Sequence, residues 1–217
     1  MTLDRRLLIS GSLGLLLSAV FLIPSSLSML LPDLSLYAMY LLPSAACAYA
    51  LGASLSSIGM KRFARITGLS DCAEFYALSM ALAPIGALIL SASTVMLGHS
   101  LAHTQALALP WQELEVNLLE AVRWSLLLAW LYASHPALAS GWVLIILSAY
   151  FYYRSFRILG APGLGKAMLV GVVIFLTIHV VFFTLFWPAM VAGPIILLAV
   201  YAIQLKTFLG LQYPSRP

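Results

Sequence analysis

The stretch that decides the fold is residues 167–205, AMLVGVVIFLTIHVVFFTLFWPAMVAGPIILLAVYAIQL, which holds no Asp, Glu, Lys or Arg. As one helix it would be about 60 Å long at 1.5 Å per residue, twice the hydrocarbon thickness of a bilayer. The stretch therefore has to cross, turn back and cross again, and Trp187 to Pro194 is the expected reversal. Neighbouring runs such as Leu13 to Ile23 and Leu144 to Phe151 do not alternate apolar and polar residues, so a membrane β-barrel is excluded. Across the 217 residues 63% are hydrophobic and 8% charged, and a soluble core of this size cannot hide that much apolar surface. The reading is an all-α transmembrane helical bundle forming a single domain over residues 1–217.

Working outward, further spans are expected over Leu7 to Ile23, Leu36 to Ile58, Phe75 to Leu97 and Ala137 to Tyr153. Pro24 ends the first, and Pro136 precedes the last of these four. The first span, behind Arg5 and Arg6, is longer than a signal peptide and lacks a small-x-small cleavage site, so it is expected to be retained. Trp111, Leu114, Leu118 and Val122 share one helical face, with Glu113, Glu115 and Glu120 on the remainder. That segment reads as an interfacial helix leading into Trp124 to Ala133, which either spans or re-enters. Charge counting decides between them. If it re-enters there are about six spans, and Arg5, Arg6, Lys61, Arg62, Arg65, Arg154, Arg157, Lys166, Lys206 and Arg216 fall on one side with Arg123 alone opposite. Basic residues in short loops are retained in the cytoplasm, so the lopsided arrangement is preferred, in an inner membrane with both termini cytoplasmic. The net charge of +4 is spread over these loops and forms no nucleic-acid patch. Cys47 and Cys72 form no CxxC pair and indicate neither a disulfide nor a thiolate metal site.

Two segments bring a family into view: KRFARITGLSDCAEFYALSMALAP, Lys61 to Pro84, and YFYYRSFRILGAPGLGKAML, Tyr150 to Leu169, with Trp142 ahead of it. Each joins an aromatic or basic helix end to a glycine turn and a new span. Together they resemble the Yip-domain family of Ypt/Rab-interacting-protein-like membrane proteins, in its small bacterial members, from the second span to the fifth. Those proteins usually have five spans, and the acidic DLYGP-type signature of the eukaryotic members is missing here, so no binding residue is carried over. The resemblance implies a non-enzymatic protein that scaffolds or organises membrane proteins or lipids, with the bilayer, other membrane proteins or its own copies as partners. The alternative is a transporter, channel or permease subunit for a small or lipidic solute.

Several residues invite chemistry. His99 and His103, four apart, share a helical face, and His135 falls near the same expected surface, which makes the three weak candidates for a metal site; histidines meeting water at an interface explain them as well. No cofactor is expected. His179 lies inside a span, where a polar side chain needs a partner on another helix. Gly160 to Lys166 has phosphate-loop spacing, but Ala167 replaces the metal-binding Ser or Thr and no strand precedes it. Gly52-Ala53-Ser54 offers a serine with no activating base. The firmest pattern is structural: Ser44, Ala48, Gly52 and Ser56 recur every fourth residue, as do Ala83, Ala87 and Ser91, and small residues let membrane helices approach closely.

Overall fold

The computed structural model describes the backbone of residues 3–30, 35–103, 136–181 and 186–211, and side chains over 4–26, 40–90, 92–93, 136–137, 139–178 and 192–211. The described chain is helical throughout: α1 (Leu3–Leu30), α2 (Ser35–Thr67), α3 (Ser70–His103), α4 (Pro136–Ile158), α5 (Pro162–Val181) and α6 (Phe186–Gly210). Among the described residues, Asp4–Ser26, Tyr40–Thr67, Ser70–Leu90 and Ala192–Gly210 are long and apolar enough to cross a membrane, while the apolar part of α5, Pro162–Ile178, is shorter. The interfacial or re-entrant segment, with Trp124 to Ala133, lies outside the described residues.

Two prolines correct the expected boundaries. Pro24 does not end α1, which runs on to Leu30. Trp187 to Pro194 are not the reversal, because α5 ends at Val181 and α6 has already begun at Phe186. Pro188 sits in the first turn of α6, where a missing N–H costs nothing. Pro194 lies inside the helix and leaves one carbonyl without its usual donor.

Each helix packs against its neighbour in sequence, and α6 closes on α1, so the six form a ring in chain order. The contacts of α1–α2 and α3–α4 are the most extensive, and those of α2–α3 and α5–α6 the sparsest. The turns α2–α3 and α4–α5 are built alike. Gly68 and Gly160 take φ of 74° and 81°, the left-handed conformation that glycine adopts without strain. In the first, Leu69 N–H donates to the Ala64 carbonyl at 3.0 Å; in the second, Ala161 N–H donates to Phe156 at 2.8 Å and Gly160 N–H to Arg157 at 3.2 Å. These are Schellman caps, which satisfy carbonyls that a helix end would leave bare.

Both turns lie at one end of the ring, together with the start of α1 and the end of α6. There the Arg62 guanidinium is 3.7 Å from the Asp4 carboxylate, and Arg5 donates to the Leu209 carbonyl. Arg6, Lys61, Arg65, Arg154, Arg157, Lys166 and Lys206 belong to the same helix ends. Arg123 and Arg216 lie outside the described residues.

The α1–α2 pair meets backbone to backbone. A Cβ built on Gly52 falls 2.5 Å from Leu15 N and 2.8 Å from the Gly11 carbonyl, and one on Gly14 falls 2.8 Å from Gly52 Cα. Without water to drive association, this proximity supplies the dispersion contact that holds membrane helices together. Gly52→Leu should therefore lower stability by about 1–3 kcal/mol through overpacking. Leu51→Ala, at a position 65% exposed, should change it little. Thermal unfolding of the two variants in mild detergent checks this, and equal midpoints would refute the close contact.

Candidate functional site

Polar side chains buried in an apolar ring need partners, and following them leads to one centre. Gln204 of α6 is fully buried. Its Nε2 donates to Ser12 Oγ of α1 at 3.0 Å and to the Tyr76 hydroxyl of α3 at 2.9 Å. Its Oε1 accepts from the Tyr152 hydroxyl of α4 at 2.6 Å. Ser56 of α2 is buried and donates to its own helix at the Gly52 carbonyl, 2.7 Å away. One amide thus engages α1, α3 and α4 with both donors and its acceptor used. Aromatic rings close around it: Phe156 lies 4.6 Å from Tyr152 and 5.8 Å from Phe208, centroid to centroid, and Tyr76 is edge-on to Phe156 at 6.0 Å. Such offset and edge-on pairs are the arrangements that ring quadrupoles favour.

A second set of polar contacts seals α3 against α4. Cys72, Ser79 and Gly86 face Ser155, Ser148 and Gly141 in antiparallel register, each set spaced seven apart. Ser148 Oγ donates to the Ser79 carbonyl at 2.9 Å, and the two hydroxyls lie 3.3 Å apart. Ser155 Oγ donates to the Cys72 carbonyl at 2.8 Å, while Cys72 Sγ donates back to the Ser155 carbonyl at 3.3 Å. A Cβ on Gly86 falls 3.0 Å from the Gly141 carbonyl. Between α2 and α3, the Tyr49 hydroxyl donates to the Met80 carbonyl at 2.8 Å.

The residues singled out from the sequence are distributed as follows. Gly52 and Ser56 are buried against α1, Ala48 is half-buried beside Gly14, and Ser44 is exposed with its hydroxyl on the Tyr40 carbonyl at 2.8 Å. In α3, Ala83 is half-buried and Ala87 exposed, and the contact with α4 follows Cys72, Ser79 and Gly86. The side chain of Ser91 lies outside the described residues. His99 and His103 belong to the last turns of α3 and His179 to the last turn of α5, with side chains outside the described residues, as is the whole of His135. Among the described residues no group of three or more His, Cys, Asp or Glu could hold a metal ion. Ser54 is exposed on α2. Gly165 is not part of an anion cradle: it lies inside α5, and a Cβ there would fall 2.7 Å from Tyr153 Cα. Gln204 went unnoticed from sequence, although it is the lone amide side chain of residues 167–205.

No protein-family model, curated protein or solved structure matches the chain.

The serine ladder carries a direct test. In a background with Cys47 and Cys72 replaced, the pair Ser79→Cys and Ser148→Cys brings two thiols within reach of a disulfide. Mild oxidation should close it in the membrane, seen by mass spectrometry as loss of alkylation at both sites. Ser79→Cys paired with Ile146→Cys, where Ile146 is 46% exposed, should stay reduced; equal oxidation of the two pairs would refute the register.

Proposed function

We propose that this chain is a non-catalytic, multi-spanning protein of a bacterial inner membrane, Yip-like in type, that organises lipid or other membrane proteins. The observation carrying the proposal is the closed polar centre. Gln204, Ser12, Tyr76 and Tyr152 are fully buried, and the Gln204 amide is occupied by protein partners at every polar position. A solute carrier presents its intramembrane polar groups to a path between the two faces, whereas these side chains are used in holding helices together. The outward face is apolar: Leu51, Leu88, Val170 and Val173 are between 57% and 70% exposed, surface that suits acyl chains or a neighbouring span. The basic helix ends face the cytoplasm under the positive-inside rule, and the start of α1 and the end of α6 lie with them.

Orientation is tested with single cysteines in a background lacking Cys47. Gly163 is exposed with open space around it, and Pro136 is exposed at the start of α4. An impermeant maleimide should modify the Pro136→Cys variant in intact cells and the Gly163→Cys variant only after permeabilisation; the reverse result contradicts the orientation. For the function itself, purified protein in proteoliposomes should pass no more protons or small ions than protein-free vesicles. It should also retain lipid or protein partners through mild-detergent purification. Gradient-driven flux would overturn the scaffold reading.

A further inference from the structure

The cleft between α2 and α3 at the basic end has features that the ring does not require. The two helices are joined by the Gly68 turn, yet their contact is sparse, since α2 packs chiefly along α1 and α3 along α4. The space left between them is about 570 Å³. Its floor is Ala64 and Ala73, both buried, and its walls continue towards the bilayer along Ile58 and Ala77, both exposed. Lys61, Arg65 and Glu74 line its rim, all exposed.

The cations of α2 are divided between two tasks. Arg62 turns to Asp4 of α1. Lys61 and Arg65 line the cleft, and among the described residues neither makes an ion pair. They are one helical turn apart on one face, a spacing at which like charges repel. An anion between them removes that repulsion, and Arg in particular suits a phosphate.

We propose that this cleft is a binding site for one phospholipid with a singly charged phosphodiester and a hydroxylated headgroup, as in phosphatidylglycerol. The phosphate sits between Lys61 and Arg65, a headgroup hydroxyl donates to the Glu74 carboxylate, and an acyl chain follows Ile58 and Ala77 outward. Charge selects this lipid. Two cations and one carboxylate leave a single positive charge, which a phosphatidylglycerol neutralises and a net-neutral phosphatidylethanolamine does not. The inference deepens the lipid-organising reading above and rests on membrane residence with the basic end at the headgroup level.

Native mass spectrometry of the full chain, released from nanodiscs of phosphatidylglycerol and phosphatidylethanolamine with matched acyl chains, tests it. Wild-type protein should keep one phosphatidylglycerol at collision energies that strip phosphatidylethanolamine. Lys61→Gln with Arg65→Gln should weaken that retention by roughly fivefold for each cation removed, since a basic residue at an anionic headgroup surface is worth about that much. Arg157→Gln with Lys166→Gln removes the same charge at the same end and should leave retention unchanged. Ala77→Leu keeps every charge but fills the wall, and should also release the lipid. Circular dichroism of each variant confirms that the helices persist. Equal retention by the two double variants, or equal retention of the two lipids by wild type, overturns the site while leaving membrane residence intact. Recovery of the protein in the soluble fraction of cells overturns the membrane reading, and the site with it.

Discussion

The arrangement depends on one amide. Inside the packed bundle no water competes for a side-chain hydrogen bond, so a fully buried glutamine is costly until its polar atoms have protein partners. Gln204 finds them on three helices at once: Ser12 on α1, Tyr76 on α3 and Tyr152 on α4. The α1–α2 and α3–α4 pairs are already joined by the Gly68 turn and by the Tyr49 hydroxyl on the Met80 carbonyl, and the amide adds a third tie between them from α6. Together these ties set the depth at which the pairs meet, and α6 occupies the gap between α1 and α5 with its polar atoms already satisfied.

Small residues make that meeting possible. Ala45, Gly52 and Gly59 are all buried on α2, and Cys72, Ser79 and Gly86 line the α4 side of α3. Both series advance by seven. Seven residues fall about 20° short of two full helical turns, so such a series stays on one face along the helix. Four residues overshoot a turn by about 40°, so a series at every fourth residue winds away from its partner. Ser44 lies three such steps from Ser56, which accounts for one being exposed and the other buried.

This difference also explains what could be read in advance. Helical structure, and much of the helix order, followed from charge-free stretches whose length only helices can span. Gly52 and Ser56 were legible as small residues in an apolar run, but their partners Gly11 and Gly14 were not, because partner choice is a property of three dimensions. On α3 the contact with α4 advances by seven, through Cys72, Ser79 and Gly86, a spacing that the every-fourth-residue pattern of Ala83 and Ala87 does not display. Pro24 and the Trp187 to Pro194 segment misled because proline is tolerated in a first turn and, with neighbours to compensate, within membrane helices. The polar centre is built from residues far apart in the chain, Ser12, Tyr76, Tyr152 and Gln204, whose convergence is set by the fold and not by any local spacing. A single Gln in an otherwise apolar span was the available signal, since such a residue must have partners elsewhere.

The central claim is that Gln204 and its tyrosines act as one structural unit, and a double-mutant cycle in detergent measures that directly. Tyr152→Phe deletes one hydroxyl and should cost about 0.6–2 kcal/mol. Gln204→Leu leaves the Tyr152 and Tyr76 hydroxyls and Ser12 without their shared partner and should cost more, about 1–3 kcal/mol. Because the two residues share a bond, the double variant should be less destabilised than the sum of the two by about 0.5 kcal/mol or more. Additive effects, or a Gln204→Leu variant as stable as wild type, would contradict the account.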